Sequence, residues 1–227
     1  MADLFDTLTP VPGEPVALAP GAWLLPGFAG DETQSLLADL LAVAEASPFR
    51  HLVTPGGATM SVAMTNCGSL GWISDRRGYR YEPLDPLTSR PWPTMPERFL
   101  HLARRASDAA GFPGFGPTAC LINRYVPGSK LSLHQDRDEL DFDAPIVSVS
   151  LGLPAVFMFG GHARGACAFR HRLQSGDVAV WGGASRLAFH GIAPLADGTH
   201  GLTGQFRYNL TFRTVMSEPR AGAGPER

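Results

Sequence analysis

The sequence predicts a mainly β fold with flanking helices, and three observations carry that expectation. Beyond Gly116, short alternating apolar runs at 119–125, 146–153, 156–159, 169–173, 177–181, 186–190 and 206–212 are separated by Gly, Pro and Asp turns. That is the pattern of an antiparallel sandwich or barrel. Only two stretches upstream keep a helical period, and two helices can pack on one outer face of a sheet. The 26 glycines and 20 prolines, about a fifth of the 227 residues, supply turns without reaching low complexity.

The elements follow in order. Residues 1–17 are rich in Pro and Ala and read as an extended surface segment. Trp23-Leu24-Leu25 is a short strand stopped by Pro26. Asp31 stands at an N-cap position, and Leu36, Leu37, Leu40, Leu41 and Ala44 share a helix face until Ser47-Pro48 ends it. Thr54-Pro55-Gly56-Gly57 is a turn, and 58–66 a strand with Met60, Val62 and Met64 on one face. The following stretch, with Gly71-Trp72, Gly78-Tyr79-Arg80-Tyr81 and prolines at 83, 86 and 91, is either a binding lid or a decorated β-hairpin. Residues 95–110 form a second helix, with Pro96 in its first turn and Phe99, Leu102, Ala103 and Ala106 on one face. Gly111 and Pro113 close it. The small, polar tail, 216–227, is expected to be disordered.

Composition excludes several classes. With 44% hydrophobic and 18% charged residues the chain reads as a soluble globular protein. A formal charge of −2 provides no global field for a polyanion, so nucleic-acid contact would need a local patch. Cys67, Cys120 and Cys167 are odd in number and widely spaced, which argues against a disulfide framework or zinc knuckle and fits a reducing compartment. The N-terminus has no basic n-region, and no apolar run reaches bilayer length, so a cytoplasmic protein without membrane contact is expected.

The chemistry-bearing residues begin with His134-Gln135-Asp136. In an extended segment His134 and Asp136 point to the same side and form two thirds of the facial triad that binds non-haem Fe(II). The missing histidine could be His190, His171, His162 or His200. In 207–213, period two places Arg207, Asn209, Thr211 and Arg213 on one face and Tyr208, Leu210 and Phe212 on the other. A row with arginine at both ends can hold a dicarboxylate by charge-assisted bonds, or can pair outward with acidic neighbours. Asn123 and Tyr125 alternate in the same way and would complete an anion site. Iron ligands beside a dicarboxylate pocket make a 2-oxoglutarate site.

These motifs carry a resemblance. Asn123-Arg124-Tyr125-x-Pro127-Gly128, His134-Gln135-Asp136 and Arg207-Tyr208-Asn209-Leu210-Thr211-Phe212-Arg213 resemble the bacterial AlkB family, and the likeness runs from Leu18 to Arg213. It implies a double-stranded β-helix (jelly-roll) core over 93–215, preceded by an N-terminal extension and nucleotide-recognition lid over 18–92. It implies an Fe(II)/2-oxoglutarate-dependent dioxygenase that uses O₂ and repairs DNA by direct reversal. The bases demethylated would be 1-methyladenine and 3-methylcytosine in single- or double-stranded DNA and in RNA, with release of formaldehyde, succinate and CO₂. A monomer is expected.

Carried over by position, His134, Asp136 and His190 would hold iron, with no catalytic group beyond that centre. Asn123, Tyr125, Arg207, Asn209 and Arg213 would hold 2-oxoglutarate, Arg207 on its far carboxylate. Trp72 would sandwich the flipped base against His134. Tyr79, Thr54 and Lys130 would touch the nucleic-acid backbone, and Asp138 with Glu139 would face the exocyclic amine. Met64, Arg164 and Leu121 would line the pocket. The lesions are cationic, so a nearby carboxylate favours them over the parent base. Stacking worth ~1–3 kcal/mol per base offsets much of the cost of flipping.

Ala188, where the family's founding member has a bulky aromatic, and the composition of 161–170 depart from that member and bear on substrate range. Two other classes compete: an oxygenase of a small molecule or protein side chain, and a non-catalytic ligand-binding barrel. A basic rim of Arg76, Arg77, Lys130 and Arg137 beside the aromatics favours nucleic acid.

Overall fold

The computed structural model describes residues 12–163 and 169–216. In chain order the elements are β1 (Val16–Ala19), β2 (Ala22–Leu25), α1 (Thr33–Ala46), β3 (Arg50–Val53), β4 (Thr59–Gly68), β5 (Gly71–Asp75), β6 (Gly78–Glu82), β7 (Leu84–Asp85) and β8 (Arg90–Pro91). They continue with α2 (Glu97–Ala109), β9 (Ala119–Tyr125), β10 (Leu131–His134), β11 (Ile146–Gly152), β12 (Ala155–Phe159), β13 (Phe169–Leu173), β14 (Val178–Trp181), β15 (His190–Ile192) and β16 (Arg207–Arg213).

An eight-stranded sheet, ordered β1-β2-β14-β11-β16-β9-β4-β3, faces a four-stranded one ordered β10-β15-β12-β13. The N-terminal strands thus lie at both edges of the large sheet. Hairpins β5–β6 and β7–β8 stand outside both sheets. One face of the large sheet is covered by the helices: Leu36, Leu40, Phe99 and Leu102 pack with Ile122, Val149, Leu210 and Phe212. The other face and the small sheet enclose a second cluster that includes Met64, Leu121, Phe157 and Trp181. Strands β11 and β16 are therefore buried along their whole length. Their alternation separates an apolar face under the helices from a polar face, Ser148, Ser150, Asn209 and Thr211, between the sheets. The expected mainly β fold with a jelly-roll core and flanking helices is present.

Several local expectations are corrected. Asp31 lies in a 3-10 turn over Gly30–Glu32, and the N-cap of α1 is Glu32. Leu41 is 49% exposed, because the buried stripe runs Leu36, Leu37, Leu40, Val43, and Leu41 lies about 100° around the helix from Leu40, at the stripe's edge. Residues 186–189 are not a strand. Gly182-Gly183 opens a 3-10 turn in which Ser185 N–H donates to Gly182 O, Arg186 N–H to Gly183 O, and Ala188 N–H to Ser185 O. Phe189 exchanges backbone hydrogen bonds with Gly160 and Gly161, and the ladder of the small sheet proper starts at His190, opposite His134 and Phe159.

Cys67 and Cys120, far apart in sequence, are direct cross-strand partners in β4 and β9, both free and buried. Cys167, Arg164, residues 1–11 of the N-terminal segment and 217–227 of the tail lie outside the described residues. Among the described residues no helix is long and apolar enough to cross a membrane.

Candidate active site

Between the two sheets lies a cavity of about 880 Å³, open toward the β5–β6 hairpin. At its centre stand His134 at the end of β10, Asp136 just after it, and His190 at the start of β15, with ligand atoms all within 4.8 Å of one another. His134 is held by pairing with His190 across the small sheet. That approach requires Gly191, where a Cβ would lie 2.5 Å from Leu131 O. His134 Nδ1 contacts Ser132 O at 2.8 Å and His190 Nδ1 contacts Ala188 O at 3.0 Å. Each imidazole donates its Nδ1–H to a carbonyl in this arrangement, which leaves Nε2 as the lone-pair donor. Those Nε2 atoms lie 3.5 and 3.6 Å from the two oxygens of Asp136.

Electrostatics prepares the same three residues. Burial pushes Asp136 upward, but Arg213 and the two imidazoles outweigh it and hold the carboxyl well below the usual range. Burial, helped by the nearby His134, pushes His190 down to about 4 against the pull of Asp136. At neutral pH the triad is a carboxylate with a neutral buried imidazole, the protonation states a divalent metal requires. Two N donors and one O donor on one side suit Fe(II) with open positions.

Beside the triad, the polar face of β16 meets that of β9 in register, Arg207 opposite Tyr125 and Asn209 opposite Asn123. This decides the sequence alternative: the row faces inward. Arg207 is 1% exposed, donates from Nη2 to Ser150 Oγ at 3.0 Å, and lies 5.0 Å from the Tyr125 ring centroid. Its Nε and Nη1 are buried without a hydrogen-bond partner. Burial lowers its pKa and raises that of Tyr125 to about 12. Asn209 Nδ2 donates to Ser148 Oγ at 2.8 Å and Val149 O at 3.1 Å, and its Oδ1 accepts from Thr211. A buried guanidinium with two orphaned donors, lining the same cavity as an N,N,O ligand set, fits a dicarboxylate that reaches from the metal to Arg207. Arg213 is different: it donates to Asp136 Oδ2 at 2.6 and 3.0 Å.

The rim comes from the hairpin. Trp72 is stacked on Tyr79, centroids 5.5 Å apart and planes 14° from parallel, and its Nε1–H donates to Asp138 Oδ2 at 2.8 Å. Asn66 at the end of β4 fixes the Trp72 backbone through both its amide groups, each at 3.0 Å. Gly71 admits the Trp92 ring, which a Cβ would meet at 2.3 Å. Thr54, Met64, Leu121 and Lys130 also line the cavity.

Glu139 lines the cavity with its carboxylate oxygens already engaged. It is 4% exposed and engaged by Arg186, Arg213 and Tyr81, whereas its neighbour Asp138 is exposed. Sequence reasoning also missed Arg186, Ser150 and Asn66. Arg186 carried no signal because its segment read as a strand. Ser150 shares the period-two face of its strand with the polar Ser148, whereas Asn66 falls on the face of Met60, Val62 and Met64, and only their bonding partners reveal their use.

Comparison with known proteins agrees with this geometry. Residues 21–213 match the family model of the 2OG-Fe(II) oxygenase superfamily. The alpha-ketoglutarate-dependent dioxygenase AlkB of Salmonella typhimurium strain LT2 is 61% identical over 218 residues, covering 96% of this chain and 100% of that protein. The tRNA demethylase abh1 of Schizosaccharomyces pombe is 32% identical over 126 residues, covering 54% of this chain and 41% of that one. The structure of OsALKBH1 superposes with a TM-score of 0.78 at 30% identity, covering 88% of this chain and 99% of that one. With a model matched over nearly the whole barrel and the N,N,O triad in its core, the chain belongs to the 2OG-Fe(II) oxygenase superfamily.

Proposed function

We propose that this enzyme removes methyl groups oxidatively from alkylated nucleobases, 1-methyladenine and 3-methylcytosine, in single- or double-stranded DNA and in RNA. The single observation that carries the reading is the Trp72 indole stacked on Tyr79 and bonded to Asp138 at the mouth of a cavity whose floor is His134, Asp136 and His190. The similarity to a dioxygenase named AlkB and to a tRNA demethylase supports it.

In this reading His134, Asp136 and His190 would hold Fe(II), and Arg207 would bind the far carboxylate of 2-oxoglutarate, with Asn123, Tyr125 and Asn209 along the co-substrate and Arg213, bonded to Asp136, at its metal end. Together with O₂ that centre supplies the oxidation of an N-methyl carbon to a hydroxymethyl group, which leaves as formaldehyde beside succinate and CO₂. Trp72 stacks on a flipped base and excludes water from one face. Asp138 supplies the negative charge that a cationic lesion satisfies and a neutral parent base does not. Met64 and Leu121 bound the pocket, while Tyr79, Thr54 and Lys130 meet the backbone phosphates. Residues 18–92 would thus present the nucleotide and 93–215 perform the oxidation. The enzyme would work as a monomer in the cytoplasm.

The test is mass spectrometry of a short single-stranded DNA carrying one 1-methyladenine, incubated with the protein, Fe(II), 2-oxoglutarate and ascorbate in air. Loss of one methylene unit that depends on 2-oxoglutarate and disappears in His134→Ala is expected. Continued consumption of 2-oxoglutarate with the base intact would overturn the substrate class and keep the oxygenase.

A further inference from the structure

Beside the metal triad stands a buried carboxylate with no part in the reaction above. Glu139 lies between the metal triad and the β5–β6 hairpin. Its Oε1 accepts from the Tyr81 hydroxyl at 2.5 Å and lies 3.4 Å from Arg213 Nε. Its Oε2 accepts from Arg186 Nη2 at 3.1 Å. Both arginines then hold Asp136: Arg213 donates to its side-chain Oδ2 at 2.6 Å, and Arg186 Nη1 to its backbone carbonyl at 2.8 Å. Arg186 is fixed in turn by donating Nε to Ala144 O at 3.0 Å. The side chains of Arg186, Glu139, Arg213 and Asp136 are 3%, 2%, 7% and 8% exposed, so water does not compete for these bonds.

We infer that Glu139 is a positioning residue for the metal centre. It anchors Arg213 and Arg186, and through them it sets both the backbone position and the carboxylate plane of Asp136. Tyr81 joins the hairpin that carries Trp72 and Tyr79 to the same carboxylate. The inference rests on His134, Asp136 and His190 being the iron ligands.

Two physical arguments favour positioning over simple charge balance. Three cations or donors converge on one carboxylate whose removal would leave Arg186 without any carboxylate among the described residues. A carboxylate with one oxygen clamped by a guanidinium cannot rotate about its own axis, so its other oxygen is presented in one direction. Partners one bond removed from a metal ligand typically contribute 10–100-fold in metal affinity.

The experiment measures Co(II) binding by its visible absorption bands, on the full chain, without 2-oxoglutarate or nucleic acid. In the wild type a saturable band that is lost in His134→Ala checks the ligand assignment. Glu139→Gln should weaken Co(II) binding about 10–100-fold and shift the band. Tyr81→Phe removes only the hairpin's hydroxyl and should weaken binding several-fold while the thermal midpoint stays near that of the wild type. A purely structural Glu139 would lower the midpoint and leave the band and affinity of the folded fraction unchanged. If Glu139→Gln does not fold, Tyr81→Phe decides alone. Wild-type Co(II) affinity and band position in the folded variants would overturn the inference. Absence of a His134-dependent band in the wild type would instead overturn the metal assignment, and the inference with it.

Discussion

Arg207 and Arg213 stand at the two ends of β16, on the same face, both buried. One is saturated with carboxylates, and the other meets none among the described residues. Arg213 binds Asp136 and lies beside Glu139; burial pulls its pKa down, but those anions, with Tyr81, raise it. Arg207 has one serine hydroxyl, the face of Tyr125 and two unpartnered nitrogens. A buried charge without a partner costs several kcal/mol, so folding alone gives no reason to retain Arg207. The same residue type on one strand therefore serves two purposes. The Arg213 end is part of the fold's internal ion network, and the Arg207 end is arranged for an anion that arrives later.

Substitution should separate the two ends. Arg213→Met leaves Asp136 and Glu139 buried with less compensation, and a loss of about 3–5 kcal/mol in urea unfolding is expected. Arg207→Met removes an uncompensated charge and should leave the midpoint unchanged or raise it. The same variant should raise the KM for 2-oxoglutarate roughly 100-fold, because truncating one partner of a buried charge pair costs about 2–5 kcal/mol. If Arg207→Met proved as destabilising as Arg213→Met, the contrast between the ends would be gone. A smaller effect belongs to the rim. Trp72→Ala forfeits about 1–3 kcal/mol of base stacking. It should lower kcat/KM on a methylated oligonucleotide while leaving 2-oxoglutarate consumption without nucleic acid unchanged. A parallel fall in both would place Trp72 in the same structural unit as the triad.

These contrasts also show what a sequence can disclose. The period of a strand is fixed at two, so the shared face of Arg207, Asn209, Thr211 and Arg213 could be read directly, as could Asn123 beside Tyr125. Whether that face pointed inward depended on the small sheet closing over it, which no local pattern encodes. Residues 186–189 failed for a related reason. Leu187, Ala188 and Phe189 are apolar whether the chain is a strand or a turn packed inward, and the hydrogen bonds that Ser185 and Arg186 donate to the Gly182 and Gly183 carbonyls decide for the turn. Glu139 sits in an irregular segment between exposed Asp138 and exposed Leu140, where no period distinguishes the buried residue from its neighbours. Cys67 and Cys120 became partners only through the β4–β9 register.

The Arg213–Asp136 pair has a counterpart among residues that do not line the cavity. Asp85 in β7 is paired with Arg50 in β3 through both carboxylate oxygens, one of them at 2.8 Å from Nη2. It also accepts from Ser47 Oγ at 2.6 Å and Leu87 N–H at 2.8 Å. It therefore ties the end of α1 to the β7–β8 hairpin. Burial pushes this carboxyl up, but Arg50, Ser47 and the Leu87 amide outweigh it and bring the pKa down to about 2. A folded pKa below the unfolded value, near 4, means that the ion pair stabilises the fold above about pH 4. That contribution is lost as pH falls toward 2. Asp85→Asn keeps the size and some of the hydrogen bonds, so at pH 7 it should cost about 1–2 kcal/mol in urea unfolding. The difference from the wild type should shrink between pH 4 and pH 2. The KM for 2-oxoglutarate and the Co(II) spectrum should not change. A shift in either would mean that ion pairs act on the metal centre from a distance, and direct contact with Asp136 would no longer set Arg213 and its anchor Glu139 apart from the other buried pairs.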